Sequence, residues 1–236
     1  MGNSYFQFKQ FKIEQGSAAM KVSTDACIQG AWTEVLSDDG AVLDIGCGTG
    51  LLSLMLAQKQ ARIQIDAVEL DAAAALQAAE NIAQSPWSNR IRVFNLDIRN
   101  FRTERKYDLI ICNPPFFQNS LLGPDDLRNQ ARHNHTLSYQ DLFLVIAKHL
   151  SGAGRASVLL PAAEHAIWKT IVQQNGWSVY TELQIYPSVH KTYNRVVSIV
   201  GPKQQEPVLE TLQIRDSANS YSAAFTQLLG PYYLKL

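Results

Sequence analysis

Residues 41–58 constrain the fold of this chain more than any other stretch. Ala41-Val42-Leu43-Asp44-Ile45-Gly46 is apolar and nearly uninterrupted, as expected of a strand buried on both faces of a parallel sheet. Gly46-Cys47-Gly48-Thr49-Gly50 follows, and residues 51–58 are helical in character. Strand, glycine turn and helix in that order open a nucleotide-binding βαβ unit.

The alternation continues downstream. Residues 63–69 read as a second strand ending in Glu69, and Asp71 caps an alanine-rich helix over 72–83. Residues 91–96 form a third strand ending at Asp97, and 107–112 a fourth ending at Asn113-Pro114-Pro115-Phe116. A helix over 138–150, a strand over 156–160, a helix over 163–175 and a strand over 177–186 follow. Residues 195–200 are close enough to the last of these to be its antiparallel hairpin partner. Residues 208–214 suit one more short strand and 221–229 a last helix. Upstream, Ser23, Thr24 or Asp25 can cap a helix over 26–36.

The chain has 236 residues, 46% of them apolar, which suits one α/β domain: an N-terminal flank (1–40), a core (41–200) and an extension (201–236). No apolar run reaches the roughly 18 residues of a membrane span, and the N-terminus lacks the apolar stretch of a signal peptide. Cys27, Cys47 and Cys112 are widely spaced and form no zinc-ligand pattern, so a reduced cytoplasmic protein without a structural metal is expected. His133 and His135 find no third ligand. The 21 basic and 21 acidic side chains cancel, so bulk charge announces no nucleic-acid partner, although a local basic face can coexist with a neutral total.

In open parallel sheets ligands sit beyond the carboxyl ends of the strands, so the four strand-end features share one rim. The glycine spacing is Gly46-x-Gly48-x-Gly50, with Leu51 where a dinucleotide fingerprint places its third glycine. Such a turn lets backbone approach a ligand without a Cβ in the way, and a zwitterionic amino-acid moiety suits it as well as a pyrophosphate. Glu69 can accept both hydroxyls of a ribose, and Asp97 an exocyclic adenine amine. Asp44 is a carboxylate in an apolar strand, costly unless paired. It either accepts from an α-ammonium or is a structural acid that ties down the turn. Glu69 and Asp97 taken singly are ordinary capping or solvated acids; their joint placement points to a ligand.

Two consecutive prolines stop the fourth strand. Each fixes its own φ near −65° and pushes its predecessor out of the helical region. The result is a stiff, extended turn with an amide at one end and an aromatic ring at the other. It either holds a flat, amine-bearing group or merely terminates the strand.

Taken in order, residues 42–50, Val68-Glu69-Leu70-Asp71, Asn95-Leu96-Asp97 and Asn113-Pro114-Pro115-Phe116 resemble the class I S-adenosylmethionine-dependent methyltransferases, in particular those that methylate planar amino groups. The resemblance implies a Rossmann-like α/β fold with a seven-stranded, mostly parallel sheet, the last strand antiparallel, and helices on both faces. It implies S-adenosyl-L-methionine as cofactor, held by Asp44, Gly46, Gly48, Gly50, Glu69 and Asp97. It also implies a reaction centre in which the Asn113 side chain and the Pro114 carbonyl accept from the target amine while Phe116 stacks on the base. The opening Phe-x-Phe-Lys-Gln-Phe, Lys21-Val22-Ser23-Thr24-Asp25, the Arg128…Arg132-His133 segment and Asn194-Arg195-Val196 resemble, more narrowly, the bacterial tRNA1(Val) adenine-N6 methyltransferase family. The substrate so implied is the adenine 3′ of the anticodon.

Candidate RNA contacts are Lys9, Lys12, Arg128, Arg132, Lys191 and Arg195, each of which alone reads as an ordinary surface charge. Residues 5–13 interleave aromatics with lysines, as base-stacking segments do, but are read here as a strand or coil burying Phe6 and Phe8. Rival readings are a protein-glutamine N5 methyltransferase, a DNA adenine methyltransferase, an RNA guanine-N2 methyltransferase and a non-catalytic nucleotide-binding module.

Overall fold

The computed structural model describes residues 3–16, 20–114 and 137–236. A hairpin of β1 (Tyr5–Gln7) and β2 (Lys12–Glu14) precedes α1 (Thr24–Trp32). The sheet then begins with β3 (Ala41–Ile45), α2 (Leu51–Lys59), β4 (Gln64–Glu69), α3 (Ala72–Ala83), β5 (Ile91–Asn95) and β6 (Tyr107–Cys112). It continues with α4 (Tyr139–His149), β7 (Leu150–Pro161), α5 (Ala162–Gln174), β8 (Ser178–Tyr186), β9 (Arg195–Gly201), β10 (Val208–Gln213) and α6 (Ala223–Leu229).

Eight strands lie side by side in the order β10-β8-β9-β7-β6-β3-β4-β5. All neighbours are parallel except β9, which inserts antiparallel between β7 and β8. The expected seven strands are therefore present, the last of them antiparallel. The short strand over 208–213 adds an eighth at the edge, parallel to β8.

Alternate residues of each central strand face opposite layers. Val42 and Ile111 point into one core with Ile28 of α1, Leu54 and Met55 of α2, Ile82 of α3 and Phe225 of α6. Leu43, Ile110 and Leu160 point into the other, with Leu142 and Ile146 of α4 and Trp168 of α5. The N-terminal aromatics are packed inward. Phe8 is fully buried, stacks on Phe11 at 4.4 Å and pairs its backbone with Tyr233. The stretch 5–13 is thus a structural clasp between the two ends of the chain rather than an exposed stacking strip.

The first helix ends four residues earlier than the pattern over 26–36 suggests. Lys59, at the end of α2, donates to the carbonyls of Ala31 and Thr33 at 2.5 and 2.7 Å. These are carbonyls that a helix terminus otherwise leaves without a donor. Thr33 spends its hydroxyl on Ser157 of β7.

Candidate active site

Register places the rim residues side by side. Ile45 pairs with Val68 on one side and Cys112 on the other, so Gly46, Glu69 and Asn113 are each one residue beyond the same row. Neighbouring strands lie about 4.8 Å apart, which makes them immediate neighbours.

The glycine turn has φ of +68° at Gly46, +54° at Gly48 and +81° at Gly50, a left-handed conformation that side chains disfavour. A Cβ built on Gly46 or Gly48 would meet nothing among the described residues within 4 Å. Among the described residues the space in front of the turn is open. Four amides of the turn are already spent. Those of Gly46 and Cys47 donate to the Val68 carbonyl, that of Gly48 to Glu69 Oε2, and that of Gly50 to the Cys47 carbonyl. A phosphate cradle needs converging free N–H groups, and this turn instead meets two carboxylates, Asp44 and Glu69. The local field favours a ligand with positive charge and hydroxyl donors over a pyrophosphate.

The structural reading of Asp44 holds for one oxygen, and the other is left without a partner. The residue is fully buried. Oδ2 accepts from the Ser53 amide (3.1 Å) and hydroxyl (2.7 Å) at the start of α2, taking up an N–H that the helix start would leave orphaned. Oδ1 is buried with no partner. Burial raises the carboxyl to about 7, the Ser53 bonds pull it down, and the nearby Glu69 charge pushes it up.

Glu69 accepts from Gly48 on one oxygen and from the Asp71 amide (2.9 Å) on the other, leaving each a further lone pair for a hydroxyl. The Asn95 side chain braces the same corner by donating to the carbonyls of Glu69 and Leu70. Asp97 caps a short 3-10 turn and is forked onto the guanidinium of Arg99. Its use toward an adenine amine requires that fork to share an oxygen.

Asn113 follows directly on β6, and its side-chain Oδ1 is buried without a partner. A buried acceptor left unmade costs about 1–3 kcal/mol, a cost this oxygen carries among the described residues. Pro114 is buried beside it. Phe116, Arg128 and Arg132 lie outside the described residues, as do His133 and His135.

The remaining basic candidates are divided. Lys9 donates to the Gly230 carbonyl at 2.5 Å, and Lys12 pairs with Glu14 at 2.6 Å; both serve the terminal clasp. Lys191 is exposed on the β8–β9 turn. Arg195 opens β9, level with Pro161 at the rim, and pairs with Asp25 of α1 at 3.2 Å. Two segments that resemble one family in the sequence thus meet in space.

Three side chains that sequence reasoning passed over complete the site. Ser53 holds Asp44. Asn81 of α3, almost fully buried, bonds both backbone groups of Glu14 and the Thr49 carbonyl, tying the N-terminal hairpin to the glycine turn. Gln29 of α1 donates to the Cys112 carbonyl at 3.0 Å. A polar residue on the apolar face of a helix was the available signal for Gln29. For the other two there was none beyond residue type.

Strand order, the open turn bounded by carboxylates and the unpartnered amide oxygen together define a class I methyltransferase. The family model described as "Methyltransferase small domain" matches residues 25–180. Among solved structures, the ribosomal protein L11 methylase of Lactobacillus delbrueckii subsp. bulgaricus shares the fold, with a TM-score of 0.58 at 15% identity over 81% of this chain and 84% of that one. Sequence relatives are closer. The tRNA1(Val) (adenine(37)-N6)-methyltransferase of Tolumonas auensis is 41% identical over 100% of this chain and 99% of its own length. That of Dyadobacter fermentans is 38% identical over 99% and 98%. The chain belongs to this methyltransferase family.

Proposed function

We propose that this protein, one domain over 1–236, methylates the exocyclic N6 amine of an adenine in tRNA, adenine 37 of tRNA1(Val) as its relatives are named to do. The observation that carries the reading is the buried, unpartnered Oδ1 of Asn113 beside the open glycine turn. S-adenosyl-L-methionine, when bound, supplies an electrophilic methyl on a sulfonium leaving group. Its α-ammonium is assigned to Asp44 Oδ1, its ribose to Glu69, its adenine to Asp97, and its backbone approach to Gly46, Gly48 and Gly50.

The remaining difficulty is the nucleophile, because an aryl amine lends its lone pair to the ring. Asn113 Oδ1 and the Pro114 carbonyl accept hydrogen bonds from the two amine N–H groups, and the methylated ammonium, being acidic, loses one proton to water afterwards. Proline has no N–H but keeps its carbonyl. As positive charge develops on nitrogen, both bonds strengthen, which is preorganised electrostatic stabilisation. The proline pair fixes these acceptors in advance, so orientation supplies much of the remainder. Phe116 stacks on the base. The anticodon loop presents its bases unpaired, so extruding one costs less than from a duplex. Arg195 and Lys191 at the rim, with Arg128 and Arg132, contact the RNA backbone; Lys9 and Lys12 act there only through their outer faces. No described helix is long and apolar enough to cross a membrane, and no described group of His, Cys, Asp and Glu could hold a metal.

The test is methyl transfer from labelled cofactor to tRNA lacking this modification, followed by nucleoside analysis. Label is expected in N6-methyladenosine, and Asn113→Ala is expected to keep cofactor affinity while losing at least about 100-fold in kcat. Label in N2-methylguanosine or in protein glutamine refutes the assignment.

A further inference from the structure

We propose that Gln29 is a positioning residue for the Asn113 turn, acting through the Cys112 carbonyl. The inference rests on the reading of Asn113 given above. Gln29 is fully buried on α1. Its Nε2 donates to the carbonyls of Cys112 (3.0 Å) and Ser157 (3.2 Å) and lies 3.3 Å from Ser157 Oγ. It therefore spans the seam between β6 and β7 at the last paired row, where Cys112 opposes Val158. Close packing of α1 lets it reach: a Cβ on the neighbouring Gly30 would stand 2.7 Å from Met55 Sδ of α2.

The peptide bond is planar, so holding the Cys112 oxygen also holds the nitrogen and Cα of Asn113. Pro114 restricts Asn113 from the other side. The Asn113 side chain then leaves a backbone that is fixed on both flanks, and its Oδ1 stays in place with no partner of its own. Packing alone does not call for an amide here. Gln29 Oε1 is itself buried without a partner, a cost that an apolar side chain of the same shape avoids. What the amide supplies and a thioether cannot is the donor to Cys112.

Gln29→Met removes that donor at nearly constant volume. The expected result is a 10- to 100-fold lower kcat on tRNA, the loss that about an ångström of misplacement produces. Cofactor Kd and tRNA KM are expected to stay within about twofold, and the thermal midpoint to fall by only a few degrees as the buried Cys112 and Ser157 carbonyls lose their donor. Ser157→Ala, which removes the neighbouring hydroxyl but leaves the Cys112 bond, is expected to keep kcat within about twofold. A second readout needs no RNA: the Asn113 side-chain amide resonances in 15N-labelled protein are expected to shift in Gln29→Met and not in Ser157→Ala. Unchanged kcat together with unchanged Asn113 resonances in Gln29→Met overturns the proposal. So does a kcat loss matched by an equal loss in cofactor affinity. If wild-type protein transfers no methyl to tRNA, the functional reading fails, while the resonance comparison still decides whether Gln29 fixes Asn113.

Discussion

Asp44→Asn tests the electrostatics of the site most directly, because the expected effects on stability and binding have opposite signs. The asparagine keeps the shape, and its Oδ1 can accept from the Ser53 amide and hydroxyl as the Asp44 Oδ2 does now. What it loses is a titratable charge. In the folded protein the Asp44 carboxyl is raised to about 7 from an ordinary value of 3.8, burial being the largest cause. Between these values the folded chain holds a proton that the unfolded chain has released. Stability from this group is therefore complete below pH 4 and is lost as pH rises through 7. Between pH 5 and pH 8 the loss is about 3 kcal/mol, at ~1.4 kcal/mol per pH unit. Asparagine has no such slope. The ligand-free variant is expected to gain about 3 kcal/mol on wild type between pH 5 and pH 8, or about 6–12 °C in melting temperature for a domain of this size. Comparing variant with wild type cancels the titrating groups that do not feel the Asp44 charge.

Binding moves the other way. A charge-assisted hydrogen bond to the cofactor's ammonium is worth about 1.5–3 kcal/mol, so S-adenosylmethionine binds the variant about 10- to 150-fold more weakly at pH 8. Titration calorimetry measures this at pH 8, and scanning calorimetry gives the stabilities at both pH values. If the variant binds cofactor within about twofold of wild type, Oδ1 does not face the ammonium. If its stability relative to wild type is the same at pH 5 and pH 8, the raised carboxyl is wrong.

Glu69→Gln leaves an acceptor for Gly48 but turns an amide N–H₂ toward the Asp71 amide or the ribose; cofactor affinity is expected to fall about 10- to 100-fold with the far-ultraviolet spectrum unchanged. A loss under twofold by equilibrium binding would remove Glu69 from the site. His149 is 2% exposed, against Phe101 and Tyr107, and burial lowers it to about 4, with Lys148, Lys106 and Arg102 adding to the effect. It stays neutral in the fold while the unfolded chain protonates it, so its contribution is lost as pH falls from 6.5 toward 4. His149→Phe is expected to recover about 2 kcal/mol relative to wild type on going from pH 7.5 to pH 5 by urea unfolding; an unchanged difference would show that the ring is solvated.

Much of this site is legible in one dimension because strand ends are. Ile45, Glu69 and Cys112 close apolar runs, and period and punctuation locate such ends without tertiary knowledge. The same logic locates β9 beside β8, since a short turn forces antiparallel pairing. What escapes is whatever a distant residue decides. The end of α1 depends on Lys59 reaching back to cap its carbonyls. The edge position of β10 depends on a free side of β8. Ser53, Asn81 and Gln29 are ordinary helical residues until the sheet brings Asp44, Thr49 and Cys112 beneath them. Asp97 was legible as a rim acid, but its fork with Arg99 was not, because the partner is only two residues away and reads as a surface charge.

Three of the buried oxygens left without a partner, Gln29 Oε1, Asp44 Oδ1 and Asn113 Oδ1, belong to residues at or just behind one end of the sheet. A core optimised for stability would fill or satisfy them, since each costs about 1–3 kcal/mol. The surrounding fold offsets that cost elsewhere. Trp168 and Tyr107 are fully buried in the opposite core, and the termini are clasped by Phe8, Lys9 and Tyr233 on the near side. Unmet acceptors gathered at one rim let binding energy appear only when a donor arrives. On the function proposed above, the donor for Asp44 is an ammonium that also restores its negative charge, and the donor for Asn113 is an amine whose hydrogen bonds strengthen as methyl transfer proceeds. Cofactor binding on its own should therefore stabilise the fold most above pH 7, where the lone Asp44 carboxylate costs most.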